Sequence, residues 1–332
     1  MFTDSQKAAL SEELKAHMCS GDEGLIKTAG LAASEYFRTE IRENSVYRQI
    51  IPPKAVTADN FDVLEDSDFP AMLVEIQPES MGAYKVSFET NPQNASLYGK
   101  KARVEFNRIM TYKYEIDKIR LHTWKMDILD MLYDLMLKDI MDVEDISWTE
   151  VNKNIVGWAE DTAEMDGLQT ERLQEYGVRR AINIASDVPT RAGLKEVKKG
   201  ILRAPGKIKP AKQLMSELFY ADFYGMERDE IGGDMAQDIF INGFTQTKVN
   251  GVDTLVTSKE EVCDERDVWC FADPKYYAGF YTFEDVSMVM DDKDNIWLTF
   301  FAHETVGGVV VNKAGVSVTR FDAAGDPTTW KK

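Results

Sequence analysis

A chain of 332 residues with 44% hydrophobic and 29% charged side chains can bury a sizeable core without staples, which excludes overall disorder and allows about two domains. Lys and Arg number 39 against 57 Asp and Glu, a formal net charge of −18, and such a chain repels a phosphate backbone as a whole, which excludes a protein that coats nucleic acid. The start, Met1-Phe2-Thr3-Asp4-Ser5, has no basic or apolar signal region, no apolar run approaches the roughly 18–20 residues of a membrane span, and three cysteines (Cys19, Cys263, Cys270) fit a reducing compartment without a disulfide framework.

In chain order, residues 4–18 read as a short amphipathic helix, with Thr3 and Gln6 at capping-box spacing and Leu10 and Leu14 on one face; Gly21 and Gly24 end it. Residues 32–42 read as a second helix, Phe37 and Ile41 four apart, running into Val46, Ile50, Ile51 and the extended pair Pro52-Pro53. This segment is expected to be an arm that lies on something. Residues 83–90 alternate strictly, with Tyr84, Val86 and Phe88 opposite Lys85, Ser87 and Glu89. Residues 102–109 do the same, with Val104 and Phe106 against Arg103, Glu105 and Asn107. The turn-rich stretch 91–101 joins them into a predicted two-stranded hairpin, which is marginal alone in water, so its apolar row needs cover from this chain or another.

A long helix is predicted over residues 117–142, where Leu121, Trp124, Ile128, Leu132 and Leu135 recur at helical spacing and Met131, Met136 and Ile140 widen the stripe. It would span about 38 Å. Residues 144–186, with Trp148 and Trp158, read as further helical or connecting structure. The texture changes near residue 190: Arg191, Lys195, Lys198, Lys199, Arg203, Lys207, Lys209 and Lys212 face the single acid Glu196. The run reads either as a solvated helix face or, ahead of any DNA contact, as a partner for the acidic surface of Glu260, Glu261, Asp264, Glu265 and Asp267 on another copy. A strand over 213–215, helical pieces over 217–224 and 227–240, and short strands over 254–257, 268–272, 286–290, 296–302, 309–311 and 316–321 complete an α+β chain without an internal repeat.

Catalytic chemistry is poorly supplied. Of the three histidines, His17 lies near a frayed helix end, His122 on the long helix, and His303 beside Glu304 on a strand, where neighbours point to opposite faces and make a polar pair of structural kind, not a dyad. Nucleophile-elbow, zinc-protease and phosphate-loop motifs are all missing. The pairs Gly232-Gly233 and Gly307-Gly308 read as turns or bulges. Residues 291–295 read as a hairpin turn, because Ile296 breaks calcium-loop spacing, and Cys263 and Cys270 are too widely spaced for a zinc site. No catalytic, cofactor-binding or metal-ligating residue is expected, and no enzyme.

The order of these segments resembles the major capsid protein of tailed bacteriophages, with the shell fold of the Hong Kong phage. Phe37-x3-Ile41-Arg42-Glu43-x2-Val46-x4-Ile51-Pro52-Pro53 resembles the family's N-terminal arm, and Val74 through Ala83 and on to Ile109 its extended loop. The long helix resembles the spine helix. Lys209 through Met215, Gly251-Val252-Asp253-Thr254, and Trp269 through Pro274 with Gly279-Phe280 resemble the axial domain, while Phe300-x3-Glu304-x2-Gly307-x4-Asn312-x3-Val316-x4-Phe321 resembles the closing strands. The likeness spans roughly residues 30–322.

The resemblance implies an α+β shell fold divided as N-terminal helix and arm (1–55), extended loop with flanking strand (56–115), spine helix and peripheral domain (116–188), axial domain (189–285) and closing strands (286–332). It implies a structural subunit of an icosahedral head around double-stranded DNA, held without specific binding, in a virion assembled in the host cytoplasm. Its partners would be further copies in hexamers and pentamers, a portal, and scaffolding and decoration proteins, with no membrane and no cofactor. With only about 30 residues ahead of the arm, scaffolding would come from a separate protein or be unnecessary. Some relatives cross-link Lys to Asn; Lys85, Lys100, Lys101 and Asn312 are present, and no cross-link is expected from them. The contact candidates are Phe37 and Ile41 of the arm, Tyr84, Val86, Phe88, Val104 and Phe106 of the hairpin, and the charged residues Lys198, Lys199, Glu260 and Glu261. Two other readings stand beside this one: an encapsulin-like compartment of the same fold, and an α+β enzyme with an unrecognised site.

Overall fold

The computed structural model describes residues 4–19, 22–62, 69–76, 100–123, 128–156, 181–202, 208–225, 248–249, 251–293 and 296–322. Two helices open the chain, α1 (Asp4–Met18) and α2 (Glu23–Asn44), followed by the short α3 (Val46–Ile50). The first is the predicted helix; the second begins well before residue 32. Ile26, Ala29, Ala33, Tyr36 and Phe37 give α2 one buried stripe at helical spacing.

That stripe lies on a sheet built around two long antiparallel strands, β10 (Ala278–Lys293) and β11 (Trp297–Val310), paired from Ala278↔Val310 to Lys293↔Trp297. Around them run β1 (Lys54–Ala55), parallel to β10, then β3 (Lys100–Met110) and β4 (Tyr114–Asp117), both antiparallel to β11, with β2 (Ala71–Ile76) outside β3. Strand edges attract stray pairing unless covered. Here α2 covers the free edge of β10: Ser34 Oγ accepts from Met288 N at 2.8 Å, and Arg38 Nε donates to Val286 O at 3.0 Å. Gly30 permits the approach, since a Cβ there would stand 3.1 Å from Met288 O.

The spine follows as α4 (Lys118–Thr123), α5 (Ile128–Leu132), a π turn (Tyr133–Leu137) and α6 (Lys138–Val156). It continues past the expected end at residue 142, because Trp148, Thr149 and Asn152 are still buried on its inner side. Residues 114–117, partly assigned to this helix by sequence, instead pair as a strand with Phe300–Trp297. Leu121, Ile128, Leu132, Met136 and Ile140 from the spine, Leu14 and Met18 from α1, and Val286, Met288, Leu298 and Phe300 from the sheet make one core.

A second sheet has the order β5-β12-β9-β6-β8-β7, from β5 (Ala181–Ile184), β6 (Pro210–Ser216), β7 (Lys248–Val249), β8 (Val252–Thr257), β9 (Asp267–Ala272) and β12 (Val316–Phe321). Its two faces enter different cores. Trp269 and Phe271 of β9 join Tyr47, Ile50, Ile51, Trp148 and Phe280, where the second sheet meets the first. Val268 and Cys270 face the other way, under α7 (Arg191–Leu202) and α8 (Glu217–Ala221). The short α9 (Pro274–Tyr277), capped by Asp273, links the two sheets through β9 and β10.

Three expectations bear on this architecture. First, residues 102–105, expected in a hairpin with 83–90, pair with β2 in the register Val74↔Ala102 and Ala71↔Glu105. Residues 83–90 lie outside the described residues. Second, Gly307 and Gly308 make no turn. They sit inside β11, so the short strands predicted over 296–302 and 309–311 are one strand of 14 residues. A Cβ on Gly307 would meet Glu105 O at 2.9 Å, and one on Gly308 the Trp148 ring at 2.6 Å, so these glycines admit a strand and an indole, as glycine inside a strand often does. Third, Phe37, Tyr47, Ile50 and Ile51 of the N-terminal arm, expected to find cover on a neighbour, are buried against the chain's own sheet and spine, while Leu31 of α2 stays exposed. The helix expected over 227–240 and the tip of the turn at 294–295 lie outside the described residues.

Candidate functional site

The contact candidates separate sharply. Phe37 is fully buried in the first core, and Val104 and Phe106 are buried with Val56 in a small cluster beside Phe61 and Phe283. Their expected role as surface anchors is corrected, because the strands and helices of the same chain already fill the space around them. Of Ile41 only the helical backbone is described, and Tyr84, Val86 and Phe88 lie outside the described residues. Exposed apolar side chains among the described residues include Tyr112 at 85%, Phe69 at 76%, Ile119 at 73% and Leu31 at 71% relative exposure, with Met110, Ile296 and Trp297 also open. Ile119, Ile296 and Trp297 meet at one end of the first sheet, where Lys118 N donates to Ile296 O at 3.1 Å and Trp297 pairs with Asp117. Scattered through loops and strand ends, they show no periodicity to read.

Of the charged candidates, Lys199 and Glu260 and Glu261 are exposed, while Lys198 is half-buried on the inner flank of α7. Lys199 is held by Glu196 one turn away. Glu260 and Glu261 sit on the loop between β8 and β9.

A buried charge cluster brings together residues far apart in the sequence. Arg48 of α3 reaches Glu144 of α6 (Nε to Oε2 3.0 Å), Glu304 of β11 (Nη2 to Oε2 2.7 Å) and Asp285 of β10 (Nη1 to Oδ1 3.5 Å). The guanidinium also lies over the Phe280 ring, 5.7 Å from its centroid. Beside it Asp145 accepts from Tyr47 N (3.1 Å) and Ser45 Oγ (3.2 Å) and pairs with Lys259 (2.7 Å), which also holds Asp142 (2.8 Å). Three carboxyls around one guanidinium cannot all stay charged cheaply in a buried place. Burial, together with the neighbouring Glu144 carboxylate, pushes Glu304 up to about 8, and burial pushes Glu144 up as well. Glu304 Oε1 is buried with no partner among the described residues. The cluster fastens the N-terminal segment to the spine and to both long strands. Its one sequence signal is Glu304, an acid inside the strongly apolar strand 297–306, since a carboxylate is almost never fully buried unless paired.

A second buried acid, Asp267 at the start of β9, is gripped by Arg320 at 2.7 and 2.9 Å, while Arg320 also takes Asp264 at 2.6 Å. Burial raises Asp267 to about 7 against the pull of that guanidinium. His303 and Glu304 do face opposite ways: His303 Nε2 lies 3.3 Å from Ser287 Oγ, while Glu304 turns inward to Arg48. Cys263 and Cys270 are buried thiols whose pKa burial raises, Cys270 to about 12, so neither is poised as a nucleophile. Among the described residues, no group of His, Cys, Asp and Glu is set to hold a metal ion, and no helix is long and apolar enough to cross a membrane. The polar clusters of this chain are thus staples between elements, and its open features are surfaces.

Compared with solved structures, the chain is similar to the virus-like particle of Pyrococcus furiosus, at 11% identity, with 87% of this chain and 97% of that one covered and a TM-score of 0.51. It is similar to the capsid of cyanophage Pam1 (11% identity, 79% and 87% covered, TM-score 0.51) and to the mature capsid of bacteriophage PhiM1 (10% identity, 84% and 87% covered, TM-score 0.52). The sequence matches no protein-family model and no curated protein. The protein has the α+β shell fold of the Hong Kong phage type that the order of its segments suggested.

Proposed function

We propose that the chain is the structural subunit of an icosahedral phage head, a shell of identical copies around double-stranded DNA, and that it is not an enzyme. The observation that carries this reading is the length of the fold match: it runs through 87% of this chain and 97% of the virus-like-particle chain, the whole fold and not one shared motif. The open apolar side chains Ile119, Ile296 and Trp297, which lie together at one end of the first sheet, support it, since exposed apolar surface gathered in one place marks a region that another molecule covers. Charge fits as well. A subunit of net charge −18 does not grip a packaged genome tightly.

In this reading residues 1–55 form the N-terminal helix and arm, 56–115 the extended loop and its flanking strand, 116–188 the spine and peripheral domain, 189–285 the axial domain, and 286–332 the closing strands. The partners are other copies in hexamers and pentamers, a portal, and scaffolding and decoration proteins. The site of the protein is the virion, assembled in the host cytoplasm. An encapsulin-like compartment is the second reading, favoured by the match to the Pyrococcus furiosus virus-like particle.

Negative-stain imaging and gradient sedimentation of the expressed protein test the proposal. Shells, tubes or capsomer rings are expected. Uniform compact monomers at assembly-promoting salt would overturn both readings. Nuclease-protected DNA in particles made alongside the neighbouring phage genes separates the head from a compartment, which would hold protein cargo instead.

A further inference from the structure

The second sheet separates two surfaces of opposite charge. On one face α7 lies across β12 and β9, with Val197 and Ile201 buried among Met215, Phe219 and Cys270. Gly193 and Gly200 bring it close: a Cβ on the first would stand 2.5 Å from the Phe321 ring, and one on the second 2.9 Å from Ser317 Oγ. With that face turned in, Arg191, Lys195 and Lys199 are exposed on the other. They stand four residues apart, and so form one line along the helix. Arg191 and Lys195 have no ion pair among the described residues.

On the other face, the loop between β8 and β9 tucks Val262 and Cys263 in with Tyr47 and Trp148. Its own cations are paired, Lys259 with Asp142 and Asp145 and Arg266 with Asp187 at 2.6 Å, and Arg320 of β12 takes its Asp264. Glu260, Glu261 and Glu265 are left exposed and without an ion pair among the described residues. The loop therefore shows solvent a mostly acidic edge, its exposed cation Arg266 being paired with Asp187.

We infer that the line Arg191, Lys195 and Lys199 of one copy docks against the loop edge Glu260, Glu261 and Glu265 of a second copy, an inference that rests on the shell reading above. Copies of net charge −18 repel at a distance, so a local meeting of opposite signs is what can orient them. The two patches differ and lie on opposite faces of one sheet. Their union is head-to-tail, the kind that closes into rings instead of stopping at a two-fold dimer. Another copy is favoured over nucleic acid because the complementary patch is on this same chain, while the chain as a whole repels phosphate.

Charge reversal tests this by sedimentation at about 0.15 M salt, where exposed charges still act over roughly 8 Å. Lys195→Glu with Lys199→Glu, and separately Glu260→Lys with Glu261→Lys, should each cut the particle fraction about tenfold with unchanged circular dichroism, as surface substitutions seldom disturb a fold. The chain carrying all four changes should return to within about twofold of wild type, because the pairs are restored with their signs exchanged. Mixing the two reversed variants should restore the rings that each alone forms about tenfold less. Should a reversed variant misfold, Lys195→Gln with Lys199→Gln serves instead, with a smaller loss expected. Wild-type-like assembly of folded reversed chains, or failure of the fourfold variant to recover, overturns the docking while leaving the shell reading intact. Normal assembly with less packaged DNA in the Lys195→Glu, Lys199→Glu particles overturns it in favour of a nucleic-acid contact. Absence of any wild-type assembly is the failure of the shell reading itself.

Discussion

Arg48 and Glu304 lie 256 positions apart and meet at 2.7 Å. Their titration has a definite sign. Glu304 carries a value of about 8 in the folded chain against the ordinary 4.5, so between those values the folded state keeps a proton that the unfolded chain has released. Its contribution to stability is whole below 4.5 and is lost as the pH rises through 8. Asp267, raised from 3.8 to about 7, acts in the same direction over a lower window. The denaturant midpoint should therefore fall between about pH 5 and about pH 9. Glu304→Gln should flatten the upper part of that fall, and Asp267→Asn the lower. A wild-type midpoint that holds or rises across the range would show that these carboxyls stay ionised. Arg48→Met should lose about 3–5 kcal/mol, since it strands Glu144 and Glu304 without their cation.

At the scale of elements, helix α2 does two tasks that its stripe alone does not announce. It closes the first core, and it occupies the open edge of β10 through Ser34 and Arg38. Ser34→Ala leaves the buried Met288 N–H without an acceptor, a loss of about 1–3 kcal/mol. Calorimetry should show the lower melting point, and hydrogen exchange at residues 286–290 should rise more than exchange across the second sheet. Equal exchange across both would mean that the edge is held by something else. The spine shows a similar division. Its apolar stripe was plain at residues 121–140, yet its extension to Val156 depends on Trp148 and Asn152 meeting the second sheet and α9.

For the whole molecule, Phe37, Tyr47, Ile50 and Ile51 of the arm, expected to be covered by a neighbour, are covered at home, so the assembly proposed above would draw on other surfaces. Tyr112 and Ile119, 85% and 73% exposed in the single chain, are the natural ones. Hydroxyl-radical footprinting of assembled particles should show both protected several-fold relative to dissociated protein. Equal labelling in the two states would exclude both residues from the contacts.

The α+β class, the helix over 4–18, the stripe of the spine, and the strands near 213–215, 254–257, 268–272 and 316–321 were all legible from periodicity and turn residues, because those signals depend on neighbours a few positions away. The order of those elements carried the shell fold. Three matters depended on residues distant in the chain. Strand β3 chose β2 and β11 as partners because alternation marks a strand and not its mate. Gly307-Gly308 stayed in a strand because a ring and a backbone oxygen needed the room. Glu144, Asp285 and Glu304 gathered at Arg48 only once helix and sheet had packed, since convergence in space has no period along the sequence.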